Sequence, residues 1–350
     1  MHFKITPQEN NKIRKLLETK ELNMAIANML FAAFDSKEAI VPSKNEDEFT
    51  ENLINFWELN TDNQQEMDIV DTFISPRLKK IDSGLILNNP YVKTVSFKEV
   101  KDGSYKLSYF KQAAFQPFPY DDIEVDDEYR EIQSVGYSTT DVSYPIIAQN
   151  NCIWMSLNTN EIITMDPAIK EASGNVLVLG LGLGYFPFMV SLKEDVKSIT
   201  IIEKDPTIIR LFKKHLLPSF PHKEKIRILE DDAFKYLSND KLNYDYLFID
   251  LWHSPEDGLP MYLKCKNILR NKYHGKVFYW LEKSILAMLR RCFLTLIEEQ
   301  LNLVKENNYL KARDDYDRII NDLYFKTKNL TITSYEQIKE MLKDESLKHY

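Results

Sequence analysis

Three glycines, at positions 180, 182 and 184, follow a short apolar segment. Residues 175–179 are rich in branched aliphatic side chains and too few for a typical helix, so they predict a buried strand. Glycine has no Cβ atom, so a turn from this strand into a helix leaves a bare backbone that a ligand can approach closely. The unpaired N–H groups at the start of the helix add polar contacts. A tight turn that serves packing alone is the alternative interpretation.

Carboxylates that suit a nucleoside ligand follow the next two predicted strands. Glu203 comes about 20 residues after the glycines, where a carboxylate can accept both hydrogen bonds from a ribose diol. Asp205 is instead a good helix N-cap, because a proline occupies the first helical position after it. Asp232 and Ala233 follow the third strand, where an acid can accept the amino group of adenine and backbone N–H groups can contact the ring. Helix capping is the alternative role for Asp232.

Two further side chains suited to proton transfer follow the fourth predicted strand. Asp250 ends a strongly apolar segment, and an unpaired carboxylate is costly there, so it needs a partner or a chemical task. His253 is a candidate general base near neutral pH, or else a loop residue stacked on Trp252. Glu256 and Asp257 lie close enough in the sequence to join these two side chains around a divalent metal, but we expect no metal.

Strands and helices alternate from residue 175 onward. The strands are predicted at 175–179, 198–203, 226–230, 244–250 and 275–280. The helices between them are predicted at 185–193, 206–217, 233–238 and 259–270. Such alternation implies right-handed crossovers and a parallel sheet with helices on both faces, and ligands bind outside the carboxyl ends of its strands. The predicted fold class is therefore α/β, with a Rossmann-like, doubly wound sheet. After the sheet we expect helices at 281–303 and 311–324 and an edge strand at 330–333.

The part of the chain before this alternation has other patterns. The predicted organisation is a helical N-terminal segment at 1–80, a β-hairpin region at 81–120, an acidic linker at 121–135 and the α/β domain at 136–350. Apolar residues recur at helical spacing in the first segment, with a break near residues 19–21. Asp102-Gly103 lies between alternating segments and indicates a hairpin. The acidic linker is interpreted as a solvated loop.

Composition narrows the class of protein. The 350 residues carry a net charge of −8, which argues against sequence-independent binding of nucleic acid. Three widely separated cysteines fit free thiols in a reducing compartment. No secretory signal and no segment long and apolar enough to span a membrane is evident, so we expect a cytoplasmic protein. The expected partner is a small-molecule acceptor, and a homodimer through the N-terminal region is allowed.

The glycines and the three acids, in this order, resemble the class I S-adenosylmethionine-dependent methyltransferases over residues 140–282. The resemblance implies a Rossmann-like domain that binds an adenosyl sulfonium. It assigns Gly180, Gly182 and Gly184 to the methionine portion, Glu203 to the ribose, Asp232 to the adenine amino group and Asp250 to the sulfonium end.

Within that superfamily the segment is most similar to the spermidine synthase branch. Residues 176–180 lack the acid that many methyltransferases place two residues before the first glycine, as polyamine synthases also do. The segment 203–205 matches their acid–x–Asp pattern, and the segment 232–234 is similar to their Asp-Gly-Phe. A predicted hairpin at 145–157, followed by Asn-Glu at 160–161, is similar to their entry hairpin.

This chain also departs from the spermidine synthase pattern. Asp250 falls on the aspartate that deprotonates the attacking amine in that branch, but Leu183 stands where the glycine loop has an aspartate. The second aspartate after the fourth strand corresponds roughly to His253. We find no clear counterpart of the tyrosines and glutamine that hold the diamine. The resemblance therefore implies adenosyl binding more strongly than polyamine synthesis.

Three functions are compatible with these patterns. The favoured one is an S-adenosylmethionine-dependent methyltransferase, in which Asp250 orients or deprotonates the acceptor and His253 is a second catalytic candidate. The first alternative is aminopropyl transfer from decarboxylated S-adenosylmethionine. The second is a non-catalytic adenosyl-binding or scaffold protein. A nicotinamide-dependent dehydrogenase is disfavoured, because Tyr185 stands where the dinucleotide fingerprint needs its third glycine.

Overall fold

The fold is taken from a computed structural model, which describes residues 1–35, 43–239, 242–303, 309 and 311–350. In chain order the β-strands are β1 (His2–Phe3), β2 (Leu78–Lys80), β3 (Val100–Asp102), β4 (Tyr105–Gln112), β5 (Phe118–Val125), β6 (Glu131–Tyr137), β7 (Val142–Gln149), β8 (Cys152–Ser156), β9 (Gly174–Leu179), β10 (Val196–Glu203), β11 (Ile226–Glu230), β12 (Tyr246–Ile249), β13 (Lys276–Tyr279) and β14 (Thr331–Ile332).

The described chain also contains fourteen α-helices. In chain order they are α1 (Pro7–Asp35), α2 (Glu46–Phe56), α3 (Gln64–Ile69), α4 (Gly84–Leu87), α5 (Pro90–Thr94), α6 (Thr159–Glu171), α7 (Tyr185–Ser191), α8 (Pro206–Leu211), α9 (Ala233–Leu237), α10 (Pro255–Leu269), α11 (Glu282–Gln300), α12 (Asp315–Thr327), α13 (Tyr335–Leu342) and α14 (Asp344–Leu347). A π-helical turn extends α3 and another extends α8.

A five-stranded parallel sheet forms the centre of the protein, in the order β11-β10-β9-β12-β13. The predicted α/β fold class and its five strands are confirmed, with boundaries that shift by one or two residues. Strand β9 lies in the middle because its side chains are almost wholly apolar and buried on both faces. The strand order reverses on either side of β9, so its carboxyl end is the switch point where ligands bind in such sheets.

Two smaller sheets lie beside the parallel sheet. One is antiparallel, in the order β3-β4-β7-β8, and the other has the order β2-β6-β5. Both predicted hairpins are present, as β3–β4 and β7–β8. Asn150 and Asn151 both have positive φ in the second turn, as a two-residue hairpin turn requires. The sheet β3-β4-β7-β8 takes strands from both sides of residues 121–135.

Residues 121–135 are not a linker. They form most of β5 and β6, which pair with each other, so the prediction of a solvated acidic loop is wrong. Two acids of this segment have partners in α11: Asp122 accepts hydrogen bonds at the start of that helix, and Glu131 forms an ion pair with Arg291. The pattern of neighbouring charges along the chain does not predict such long-range contacts.

Two further differences concern the ends of the chain. Helix α1 runs unbroken from Pro7 to Asp35, without the break that we expected near residue 20. The predicted edge strand at 330–333 does form, as β14, but it pairs with β1 and does not extend the parallel sheet. Among the described residues, no helix is long and apolar enough to cross a membrane.

Candidate functional site

Two adjoining cavities open at the carboxyl ends of the central strands. The larger cavity has a volume of about 330 Å³ and the smaller cavity about 180 Å³. Eight residues line both: Trp154, Met155, Gly180, Leu181, Gly182, Asp250, Trp252 and His253. Glu203 and Asp232 line the smaller cavity alone, so the structure brings the predicted site residues together at one place.

The three glycines have different tasks in the turn after β9. A Cβ atom on Gly180 would lie 2.0 Å from the backbone oxygen of Asp250, and one on Gly184 would lie 2.2 Å from the ring of Phe212. The packing interpretation therefore applies to these two positions. A Cβ atom on Gly182 would meet only the sulfur of Met155, at 3.7 Å. Gly182 has bare backbone facing both cavities, and it is the position that a ligand can approach.

Glu203 connects the glycine turn to the end of β10. Its Oε2 accepts a hydrogen bond from the N–H of Leu181 at 3.1 Å, and its Oε1 accepts one from the N–H of Asp205 at 2.8 Å. A carboxylate has about four lone-pair positions, so it can still accept two hydroxyl groups from the cavity side. Asp205 caps α8 as predicted, with its Oδ1 2.7 Å from the amide nitrogen of Thr207.

Asp232 has the capping role that we gave as its alternative. Its Oδ1 accepts the N–H of Lys235 at 2.9 Å and so caps α9. Asp232 also lines the smaller cavity, together with Ala233 and the side chain of Phe234. A cap and a wall of the cavity are compatible roles for one carboxylate, and contact with adenine stays a prediction.

Asp250 lies directly after β12 and lines both cavities. Its backbone N–H donates to the oxygen of Leu179 at 3.0 Å, which holds the residue against the end of β9. Surrounding protein removes water from its carboxyl group, and this burial raises its pKa from 3.8 to about 7. A buried carboxyl group with such a pKa, open to a cavity, is typical of functional sites.

Glu161 is a functional candidate that sequence reasoning did not place in the site. It lies in the first turn of α6, lines the larger cavity, and has its pKa raised well above the ordinary value by burial and by the charge of Asp250. Asn158 caps α6 by accepting the N–H of Glu161, a position where glutamate commonly bends back toward the cap. That capping pattern hides its second possible role, beside an acid 89 positions away in the chain.

The larger cavity is lined by hydrogen-bond acceptors and aromatic rings. Its carboxylates are those of Asp121, Glu161 and Asp250, and none of the described residues that line it is a lysine or an arginine. The Oδ1 atom of Asn160 is buried in the same wall and has no hydrogen-bond partner among the described residues. Aromatic side chains supply much of the remaining wall: Trp154, Tyr185, Phe186, Phe248, Trp252 and Trp280. A cation, with N–H groups to donate, fits this lining.

His253 stacks on a different tryptophan from the one that we predicted. Its ring is parallel to that of Trp154, with 5.3 Å between the centroids. Trp252 is buried instead, and its indole N–H donates to the backbone oxygen of Trp280. His253 lines both cavities, and its role as a general base remains a prediction. The described residues contain no group of three or more His, Cys, Asp or Glu side chains arranged to hold a metal.

Comparisons with known proteins found a sequence relative and weak structural matches. No family model matches the chain. A polyamine aminopropyltransferase of Oceanobacillus iheyensis is 30% identical over 129 residues. The chain is similar to the spermidine synthases. The resemblance that the motifs predict is therefore confirmed. The match covers 35% of this chain and only 23% of the length of the relative.

The weak matches among solved structures include two spermidine synthases. The enzyme from Thermotoga maritima matches with a TM-score of 0.33 and 13% identity, over 43% of this chain and 58% of that one. A spermidine synthase in complex with the transition-state analogue AdoDATO matches with a TM-score of 0.32 and 13% identity, over 43% of this chain and 60% of that one. The fold assignment itself rests on the strand order described above.

Proposed function

We propose that the protein transfers an aminopropyl group from decarboxylated S-adenosylmethionine to an amine acceptor. The observation that carries this proposal is the acidic lining of the larger cavity, which has three carboxyl groups and no lysine or arginine among its described residues. The similarity to a polyamine aminopropyltransferase supports the same conclusion. It favours this alternative over the methyltransferase that we preferred from the sequence.

The charge of the cavity discriminates between the two adenosyl donors. Decarboxylated S-adenosylmethionine carries a sulfonium and an ammonium group, and both are cations. S-adenosylmethionine carries an additional carboxylate, which would share the larger cavity with the acids Glu161 and Asp250, and none of the described residues that line this cavity is a lysine or an arginine to pair with it. Like charges at close range in a site shielded from water are strongly unfavourable. The smaller cavity, with Glu203 and Asp232, is suited to the adenosine portion of either donor.

The chemistry needs a base and a positioned amine. The nitrogen of the acceptor forms a bond to the aminopropyl carbon next to sulfur, the carbon–sulfur bond breaks, and the thioether leaves. Asp250 accepts the proton of the attacking amine, and a pKa of about 7 suits this task near neutral pH. Glu161 and the unpartnered oxygen of Asn160 accept hydrogen bonds from the ammonium groups and hold the amine in position.

Methyl transfer is the second candidate. It is favoured by Leu183, which is buried in the wall of the larger cavity where the polyamine synthases have an aspartate. We expect the two functions to separate when the protein is incubated with each donor and a mixture of linear amines. Aminopropylated amines formed only from the decarboxylated donor are the expected result, by mass spectrometry. Methylated products formed from S-adenosylmethionine alone would overturn the proposal.

The glycine turn allows a test of donor binding that does not require turnover. We expect Gly182→Ala to fold, because its Cβ meets nothing closer than 3.7 Å. Positive φ at this position adds strain of about 1–2 kcal/mol. Its methyl group enters the cavity, so affinity for methylthioadenosine, measured by calorimetry, falls by about tenfold or more. Gly180→Ala is the contrasting variant, since its Cβ would overlap the backbone of Asp250, and we expect it to unfold at a much lower temperature. Equal affinity in Gly182→Ala and the wild type would contradict the role of this turn.

A further inference from the structure

Two exposed side chains line the larger cavity away from the wall that it shares with the smaller one. Phe31 belongs to α1 and is 47% exposed, and Asp121 belongs to β5 and is also exposed. Neither residue lines the smaller cavity. Because both side chains are exposed and neither lines the smaller cavity, we take this part as the mouth of the larger cavity. The N-terminal helical segment thus contributes directly to the site.

The backbone around Asp121 is held in an irregular conformation. Pairing between β5 and β6 shifts register between Tyr120 and Glu124, and Asp121 has a φ of +64°. Bulges of this kind redirect side chains and are common next to active sites. The next residue, Asp122, anchors the bulge by accepting the N–H of Lys283 at 3.0 Å and the N–H of Ser284 at 2.9 Å. The start of α11 therefore fixes the position of the bulge.

The mouth combines a carboxylate with an aromatic ring. Asp121 has no ion-pair partner in the described part of the chain, and its Oδ1 accepts only the N–H of Asp122, at 2.8 Å. The exposed ring of Phe31 lines the same cavity, and Trp154, 45% exposed, lines it from the wall shared with the smaller cavity. A carboxylate and exposed aromatic rings in one cavity can bind an ammonium group on an aliphatic chain, through charge and cation–π attraction.

We propose that Asp121 and Phe31 form an outer ammonium subsite, and that the acceptor is an extended polyamine. Its attacking nitrogen lies at Asp250, its second nitrogen is held at the mouth, and any further part of the chain stays in solvent. The proposal deepens the proposed function and rests on it. Because the subsite is at an open mouth, it selects for a second charge but sets no upper limit on the length of the acceptor.

The test compares matched amines in the transfer reaction with decarboxylated S-adenosylmethionine. In the wild type we expect a lower KM for linear diamines and triamines than for n-alkylamines of equal length, and no rise in KM from diamine to triamine. Asp121→Asn preserves the backbone, because asparagine tolerates positive φ. The ratio of the KM of an n-alkylamine to the KM of a diamine of equal length should fall by about three- to tenfold, as expected for the loss of a partly exposed ion pair. Phe31→Ala, like Asp121→Asn, should raise the KM of the polyamines more than the KM of the alkylamines.

Two control variants lie outside the cavity. Asp127→Asn removes an exposed acid of the same segment, and Met24→Ala removes an exposed apolar side chain of α1. We expect the wild-type preference in both. The proposal is overturned if Asp121→Asn keeps the wild-type preference for polyamines over alkylamines. It is also overturned if the substitution raises the KM of alkylamines as much as the KM of polyamines.

Calorimetry with a triamine separates failure of this proposal from failure of the proposed function. Suppose that neither donor is used, but that the triamine binds the wild type and binds Asp121→Asn about three- to tenfold more weakly. That result would support the outer subsite and contradict the proposed transfer reaction. If the triamine does not bind the wild type, the outer subsite is refuted.

Discussion

Replacing Asp250 with asparagine is expected to reduce the rate of aminopropyl transfer by about 10²–10⁴-fold, the usual contribution of a general base. Asparagine keeps the size of the side chain but cannot accept the proton of the attacking amine. The affinity for methylthioadenosine, which we assign to Glu203 and the glycine turn, should change little. In the wild type the rate should rise with pH through about 7 as the carboxyl group of Asp250 ionises. Unchanged turnover in the variant would remove Asp250 from the mechanism.

Asp250→Asn is also expected to change the free energy of unfolding, by an amount that depends on pH. The folded protein binds the proton of Asp250 more tightly than the unfolded chain does, because burial raises its pKa from 3.8 to about 7. The free energy of unfolding of the wild type therefore falls as the pH rises from about 4 to 7. Asparagine has no charge to bury, so Asp250→Asn should be more stable above pH 7, by up to about 4 kcal/mol.

Thermal unfolding of both proteins between pH 4 and 8 measures this difference. The gap in melting temperature should narrow as the pH falls and should vanish below about pH 4. Asp127→Asn is the matched control, because Asp127 is exposed and lies in no described cavity. A gap that stays constant over the whole pH range would show that the carboxyl group of Asp250 is not buried as an acid.

Glu161→Gln is expected to lower the affinity for the decarboxylated donor and for the amine acceptor by about 10–100-fold. The reason is that a charge-assisted hydrogen bond contributes about 1.5–3 kcal/mol. The loss should appear in KM more than in kcat, since Glu161 holds the cationic groups and Asp250 takes the proton. The preference for the decarboxylated donor over S-adenosylmethionine should also shrink. The glutamine removes an acid that can ionise beside a cationic donor and that disfavours the additional carboxylate.

The matched control for Glu161 lies on the same helix. Glu171, also in α6, forms an ion pair with Lys276 at the surface, 2.7 Å apart. Because exposed ion pairs contribute at most about 1 kcal/mol, Glu171→Gln should leave KM and donor preference unchanged. The role of Glu161 is contradicted if its glutamine variant keeps the wild-type donor preference, or if both variants lose activity equally.

The two acids also suggest how the chain compensates for its departure from the spermidine synthase pattern. Leu183 replaces an acid of the glycine loop, and its own backbone oxygen is occupied by the hydroxyl group of buried Tyr91 at 2.6 Å. Glu161 supplies a carboxylate to the same cavity from α6. We infer that the negative charge of the site is retained by a different element, which a comparison of the glycine loop alone does not reveal.

The amino-acid sequence by itself determined the central sheet, the glycine turn, the cap at Asp205 and the position of Asp250. Each of these depends on a pattern within a few neighbouring residues, such as an apolar strand, a glycine that avoids a clash or a side chain that caps the next helix. The same local patterns indicated both hairpins, because turn residues and alternation are adjacent in the chain.

Only the tertiary structure decided the features that join distant segments. It brought Glu161 beside Asp250, used Asp122 to cap α11, set Phe31 and Asp121 at the mouth of the larger cavity, and paired β14 with β1. These contacts join residues from about 90 to more than 300 positions apart, and their energies come from burial and charge. A charge pattern along the chain cannot show whether an acid meets water, a helix end or another acid, so the acidic segment read as a solvated linker became part of a sheet and of the site.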